Sequence, residues 1–322
     1  MVQRSLRVQD SSTLTQTQRE GLVRHDRVSP TVLGWHDGPG VLPTVLDELW
    51  RCVEQRGWLA LAVPRIVIQI GQRWRSALVH ETAMSLARFL VQQGPHTPVE
   101  IFDPGACGSA WEAFAVWDVM ADTPVCLADT TAPEGLLVPA LWFESSFLVT
   151  VAAVGPTRAG RFSGILDAQA DPLRHLGNAH PPEVLSYEAH HLARSDLAIA
   201  CGYAHREEPT SERWWAVSPS DVAVDQSVAR AASMAPETLP HLRFLAHHEV
   251  LAPYPEMLGN LPRLRGYAPS AWQARMSLWR LKASTPWHTV VRDMRMVRRN
   301  LHRIPHFIRR RVAKVLRKRG GV

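Results

Sequence analysis

The chain has 322 residues, 46% hydrophobic and 20% charged, which is the composition of a globular protein and excludes a disordered or fibrous one. Its net charge of +6 is unevenly spread. From Arg292 to Val322 twelve Lys/Arg stand against one acid, Asp293, whereas the rest of the chain holds 24 basic and 29 acidic residues. The pI of 9.5 therefore belongs to the tail, and the acidic body is by itself a poor nucleic-acid surface.

Residues 1–30 are rich in Ser, Thr, Gln and Arg without a clear period, which predicts a flexible leader. The first twenty residues lack the apolar run of a secretory signal, so a reducing cytoplasm is the expected compartment. Gly34 to Gly40 (GWHDGPG) reads as turn chemistry. Pro43 then opens a helix with Val45, Leu46, Leu49, Trp50 and Val53 on one face, ending near Gly57. Ile66 to Ile70 (IVIQI) predicts a buried strand. A helix follows, with Thr82 as its expected cap, an apolar stripe through Met84, Leu86, Ala87, Leu90 and Val91, and Gly94 as its stop.

Val99 to Phe102 is the next expected strand, ending in Asp103-Pro104-Gly105. A helix through Trp111, Phe114, Ala115 and Val119 and a strand from Val125 to Ala128, ending at Asp129, continue a β-α-β-α-β rhythm. Leu136 to Gly155 has the length of a membrane span of ~20 residues. Pro139, Glu144, Ser145 and Ser146 argue against insertion, and Phe147 to Val154 reads better as a buried strand. Pro181 or Pro182 to Ala193 predicts a helix and Leu197 to Cys201 a strand ended by Gly202. From Glu207 to Gln226 the composition is polar and loop-like. The stretch to Gly266, with many prolines, suggests a cap or an edge extension.

Alternating strands and helices predict an α/β fold, a mostly parallel sheet with helices on both faces, and a C-terminal helical extension. The expected organisation is a leader at 1–30, a body at 31–265 and a basic extension at 266–322. In such a sheet ligands bind beyond the carboxyl ends of the strands. That rule points to Gly71 to Glu81, Asp103 to Ser109 and Asp129 to Glu134.

Ile66 to Gly71 (IVIQIG), His80-Glu81-Thr82, Gly94 and Val99 to Gly105 (VEIFDPG) are followed by Phe147 to Pro172 and by RSDLAIACG at Arg194 to Gly202. This order resembles an uncharacterised family known as domain of unknown function three-six-two. The likeness covers residues 66–202 and is carried by Asp103, Gly164, Asp196, Leu197 and Gly202. The chain departs from the family pattern in having no lysine where the family has one, and in Cys201 replacing the second aspartate. Members are often joined to iron–sulfur modules, but the clustered cysteines that such a cluster needs are absent here. What the resemblance implies is the fold.

The loop Asp103 to Ser109 is the foremost candidate for chemistry. Gly105 and Gly108 let a ligand approach the backbone, and Ser109 opens a helix whose N–H groups suit an anion; a tight turn capped by Ser109 is the plainer reading. The loop fits neither G-x-x-x-x-G-K-[ST] nor G-x-G-x-x-G. Cys107 near a helix N-terminus is a candidate nucleophile with His80 as base, and Asp103 and Asp129 are candidate acid–base groups at strand ends. Glu134, Asp167 and Asp171 are further loop carboxylates. Cys52, Cys107, Cys126 and Cys201 form no C-x-x-C pair, so disulfides are not expected.

His175, His180, Glu188, His190 and His191, with His247, His248 and Glu249, suggest a metal at first sight. Adjacent histidines on a helix diverge by about 100°, so the spacing does not support a metal site. Trp272, Trp279 and Trp287 fit core packing before the tail. The tail reads as two basic amphipathic helices broken near Pro305, with Arg309, Arg310, Arg311, Lys314, Arg317, Lys318 and Arg319 as polyanion-binding residues.

Two functions are expected from different classes. One is an enzyme acting on a small anionic substrate at the strand ends, with no cofactor indicated. The other is a scaffold whose residues 292–322 dock on an anionic membrane at its inner face, on nucleic acid or on an acidic partner.

Overall fold

A computed structural model describes residues 30–37, 41–59, 63–71, 76–94, 96–103, 142, 147–156, 162–175, 182–248 and 254–268. The chain divides into two compact units, Met1–Leu278 and Trp279–Val322, and every described residue belongs to the first.

Nine strands are present among the described residues: β1 Thr31–His36, β2 Ile66–Ile70, β3 Val99–Phe102, β4 Phe147–Ala153, β5 Gly155–Pro156, β6 Phe162–Ser163, β7 Leu197–Tyr203, β8 Arg213–Ser218 and β9 Glu256–Gly259. The helices are α1 Leu42–Gln55, α2 Ala77–Gln93, α3 Ile165–Gln169, α4 Asp171–His175, α5 Pro182–Leu192, α6 Asp221–Ala231 and α7 Pro240–His248. Seven strands form one sheet in the order β3-β2-β4-β7-β8-β1-β9. β8 pairs antiparallel with β7 and β1; every other neighbour pair in this sheet is parallel. The fold is thus α/β with a mostly parallel sheet.

The strands alternate cleanly between two faces. On face one Ile66, Ile68 and Ile70 of β2, Val149 and Val151 of β4, and Ile199 and Cys201 of β7 pack against α1 and α2. Leu46, Leu49, Trp50 and Val53 of α1 are its buried residues, the stripe that the periodicity predicts. On face two Ala152 of β4, Ala198 and Ala200 of β7 and Trp214 and Ala216 of β8 pack against α3, α6 and α7. Val67 and Leu148 meet α4 and α5 beside them. Burial of the whole of β2, and of all but the last residue of β7, follows from this double covering.

Several local expectations change. Gly34, Trp35 and His36 lie in β1, not in a turn, because they pair with Ala216, Trp215 and Trp214 of β8. Ser76, not Thr82, caps α2, its hydroxyl accepting from the Val79 amide. Thr82 lies wholly buried in the helix, donating to the Leu78 carbonyl at 2.6 Å and accepting from Trp215 Nε1 at 3.0 Å. β7 runs through Gly202, which pairs with Trp214.

The largest correction concerns residues 207–226. They contain β8, with Trp214, Trp215, Ala216 and Val217 completely buried, and the start of α6. β9 forms the edge extension beyond β1. All of the predicted leader but Pro30, the elements at Trp111 to Val119 and Val125 to Ala128, and the tail helices lie outside the described residues.

Candidate active site

β2 and β4 are neighbours whose outgoing connections take opposite sides: α2 covers face one, and α3 to α5 cover face two. Such a reversal of direction opens a crevice beyond the carboxyl ends of the two strands. His80 and Asp103 meet at this crest. Ser76 starts α2, and the first turn carries His80. Asp103 directly follows β3.

His80 Nε2 stands 3.7 Å from Asp103 Oδ2, with the histidine side chain 12% exposed and the aspartate completely buried. The other ring nitrogen, Nδ1, is 3.1 Å from the Ser76 carbonyl. A carbonyl oxygen only accepts, so this contact assigns a hydrogen to Nδ1. At 3.7 Å the Asp103 carboxylate is an electrostatic neighbour of the ring, beyond hydrogen-bond distance. The same pairing places the Asp103 carboxylate by the first turn of a 17-residue helix, where the macrodipole favours negative charge.

The neighbouring strand ends carry further polar groups. Asp37 after β1 binds Arg213 of β8 through its backbone amide at 3.0 Å and its Nε at 2.5 Å. Tyr203, at the end of β7, has its phenol pushed up by burial and by the negative charge of Glu81, with Arg213 acting in the opposite sense. Cys201 has its thiol pushed up to about 12 by burial, against which a hydrogen bond with Thr82 acts. It is therefore a packing residue and not a thiolate nucleophile at neutral pH. Burial likewise raises the Cys52 thiol.

Of the residues expected from sequence, the structure brings His80 and Asp103 together. Cys107, Asp129, Gly105, Gly108, Ser109 and Glu134 lie outside the described residues, as do Arg309, Arg310, Arg311, Lys314, Arg317, Lys318 and Arg319. Asp196, the family-like residue before β7, is at the opposite sheet edge from the crest. There its carboxylate accepts from the Leu148 amide at 3.0 Å and its own amide donates to the Leu148 carbonyl at 2.8 Å. Its role is to clasp β4 to β7.

Sequence reasoning missed a buried polar seam on face two. Gln69 and Thr150 are in register on β2 and β4, and both are completely buried. Thr150 shares a 2.5 Å hydrogen bond with Ser195, which accepts from Gln169 Nε2 at 2.6 Å. Gln169 Nε2 also donates to Asp221 Oδ2 at 3.0 Å, and His190 Nδ1 donates to the same oxygen at 2.8 Å. Burial acts to raise the Asp221 carboxyl, but the His190 charge and hydrogen bond, Arg194 and Gln169 outweigh it and hold the group well below the usual carboxylate range.

One helical turn along α6, Asp225 Oδ2 lies 3.3 Å from His241 Nε2. Asp167 and Asp171, first read as loop carboxylates, both bind Arg174. Burial opposes the arginine's charge, yet these two carboxylates more than offset it and raise its pKa. The available signal was Ser220-Asp221, an N-cap with an acid directly before Val222, Val224 and Val228.

Among the described residues no group of three His, Cys, Asp or Glu side chains is arranged to hold a metal ion. His190 is paired with Asp221, and His191 Nδ1 is 2.9 Å from the Tyr187 carbonyl. His180 and Glu249 and the side chains of His175, His247 and His248 lie outside the description. Among the described residues no helix is long and apolar enough to cross a membrane. No protein-family model, no curated protein and no solved structure matches this chain.

Proposed function

We propose that the protein is an enzyme performing acid–base chemistry on a small anionic molecule at the carboxyl edge of the sheet. The observation that carries this reading is the approach of His80 Nε2 to the buried Asp103 carboxylate at the strand-order reversal. In it the His80 imidazole, oriented through Nδ1 by the Ser76 carbonyl, moves a proton, and the Asp103 carboxylate near Nε2 balances its charge. An anionic substrate fits the N-terminal end of α2, where the helix macrodipole favours negative charge. The likeness of residues 66–202 to the family of unknown function belongs to the same proposal and adds no residue role to it.

The test begins with a thermal-shift screen of the full chain against inorganic phosphate and small carboxylates, followed by turnover assays on the molecules that bind. His80→Gln and Asp103→Asn are expected to lower turnover by roughly a hundred- to ten-thousand-fold while leaving the fold intact. Unchanged turnover in folded His80→Gln protein would remove the reading.

The charge contrast along the sequence favours a second activity, in the tail. Twelve basic residues within 292–322 suit an anionic membrane surface, with nucleic acid and acidic proteins as competing ligands. Flotation with vesicles containing phosphatidylserine is expected for the full chain and lost when it is truncated after Thr289. Equal flotation of both forms would refute the assignment.

A further inference from the structure

The short helix α3 is held at both ends by carboxylates of a single helix. Asp225 of α6 accepts from the Ile165 and Leu166 amides at 2.6 and 3.2 Å, and so satisfies the first turn of α3. Gly164, before that turn, has no room for a side chain because the Asp225 carboxylate occupies the space. Asp221, one turn earlier on α6, takes the side chain of Gln169, the last residue of α3. A five-residue helix does not persist alone. Its position is therefore dictated by these two anchors, which are backed by His190 of α5 and His241 of α7.

On its other side α3 touches the strand that leads to the His80 helix. Gln69 Nε2 of β2 donates to the Ala168 carbonyl at 3.1 Å. A Cβ added to Gly71 would stand 2.7 Å from Ala168 Cβ and 2.9 Å from Ala152 Cβ, so the α3 methyl already abuts the backbone where β2 ends. The next described residue is Ser76, whose carbonyl faces His80. Ala168 of α3 is thus in direct contact with the backbone at Gly71.

We propose that Asp221 and Asp225 are positioning residues for the crest site, acting through α3 on the carboxyl end of β2. Calling the target a reaction site rests on the proposed function, whereas the mechanical link does not. Misplacing a reacting group by about 1 Å costs on the order of a hundredfold in rate, which is why anchors on the far face of the sheet matter for a site on its edge.

Asp225→Asn in the full chain tests the link, because it keeps the side-chain shape while removing the charge and one acceptor oxygen. Amide hydrogen exchange is expected to quicken about tenfold at Ile165 and Leu166, and to quicken also at Gly71, whose N–H donates to the Val151 carbonyl at 2.9 Å. The His80 ring signals in NMR spectra should be displaced beyond their line width, while the Trp50 indole on face one, bound to Ser85, stays in place. Faster exchange at Ile165 and Leu166 with Gly71 and His80 unmoved would overturn the proposal.

Should Asp225→Asn not fold, Ala168→Gly removes the methyl against Gly71 and leaves both carboxylates intact. The same His80 displacement is expected, and its absence would overturn the proposal equally. Displaced His80 signals combined with full turnover in His80→Gln would remove the site reading and leave the link standing.

Discussion

Face one of the sheet presents Ile66, Ile68, Ile70, Val149, Val151 and Ile199 to α1 and α2, whereas face two presents Gln69, Thr150 and Ser218 amid alanines to α3 and α6. The first interface is closed chiefly by apolar area, interrupted by the Trp215–Thr82 and Trp50–Ser85 hydrogen bonds. The second is closed by hydrogen bonds among Gln169, Ser195, Asp221 and His190, with Asp225 accepting from the first amides of α3 and lying beside His241. Apolar packing tolerates substitution that conserves volume. A buried polar network specifies one arrangement of its helices and fails steeply when a member is lost.

The sharpest way to break this comparison is Asp221→Ala, which removes the carboxylate that accepts from His190 and from Gln169. A loss of ~3–5 kcal/mol in urea unfolding at neutral pH is expected. Because the folded carboxyl is depressed, its contribution is present above the ordinary carboxylate range and is lost as pH falls below about 4. The variant should therefore show a flatter acid limb than wild type. A steep acid limb retained in Asp221→Ala would assign acid sensitivity elsewhere.

On face one Leu86→Ala, at a completely buried position, should cost ~2–5 kcal/mol and leave the acid limb unchanged. A change in that limb would mean that the two faces are not energetically separate. Smaller still is Ser195→Ala, which deprives Thr150 and Gln169 of their shared partner at a cost of ~1–3 kcal/mol. Adding Thr150→Val should recover part of that loss, since paired removal of polar groups costs less than removal of one. Double-mutant additivity would contradict the network.

The smallest effect is invisible at neutral pH. Folding opposes ionisation of Cys201, raised from 9.0 to about 12, and of Tyr267, raised from 10.0 to about 12. Both have burial as their first cause. The unfolded chain loses these protons first, so stability declines as pH climbs from about 9 towards 12. Cys201→Ala should delay the onset of that decline to the tyrosine range, as followed by circular dichroism.

The two faces also differ in how far they could be read in advance. Face one announces itself through the period of Leu46, Leu49, Trp50 and Val53 and through the unbroken IVIQI run, because burial of apolar area leaves a periodic signature. Face two is built from residues whose individual preference is for loops. Ser218, Asp221 and Asp225 look solvated in sequence, and become core only when partners distant in the chain satisfy them. His80 and Asp103 were identifiable as strand-end residues, but their proximity is a product of strand order. Nothing local in the sequence encodes that order.

β1 has a consequence for how the chain is made. Its partners are β8 and β9, and the Ser218 hydroxyl that reaches the Thr31 carbonyl lies 187 residues further along. At ordinary synthesis rates of about 5–20 residues per second, roughly ten to forty seconds separate these two residues at the ribosome. During that interval an apolar strand is exposed without its neighbours. The earliest of the described strands is thus among the last to pair, and slow, long-range closure of the sheet is the expected bottleneck in folding.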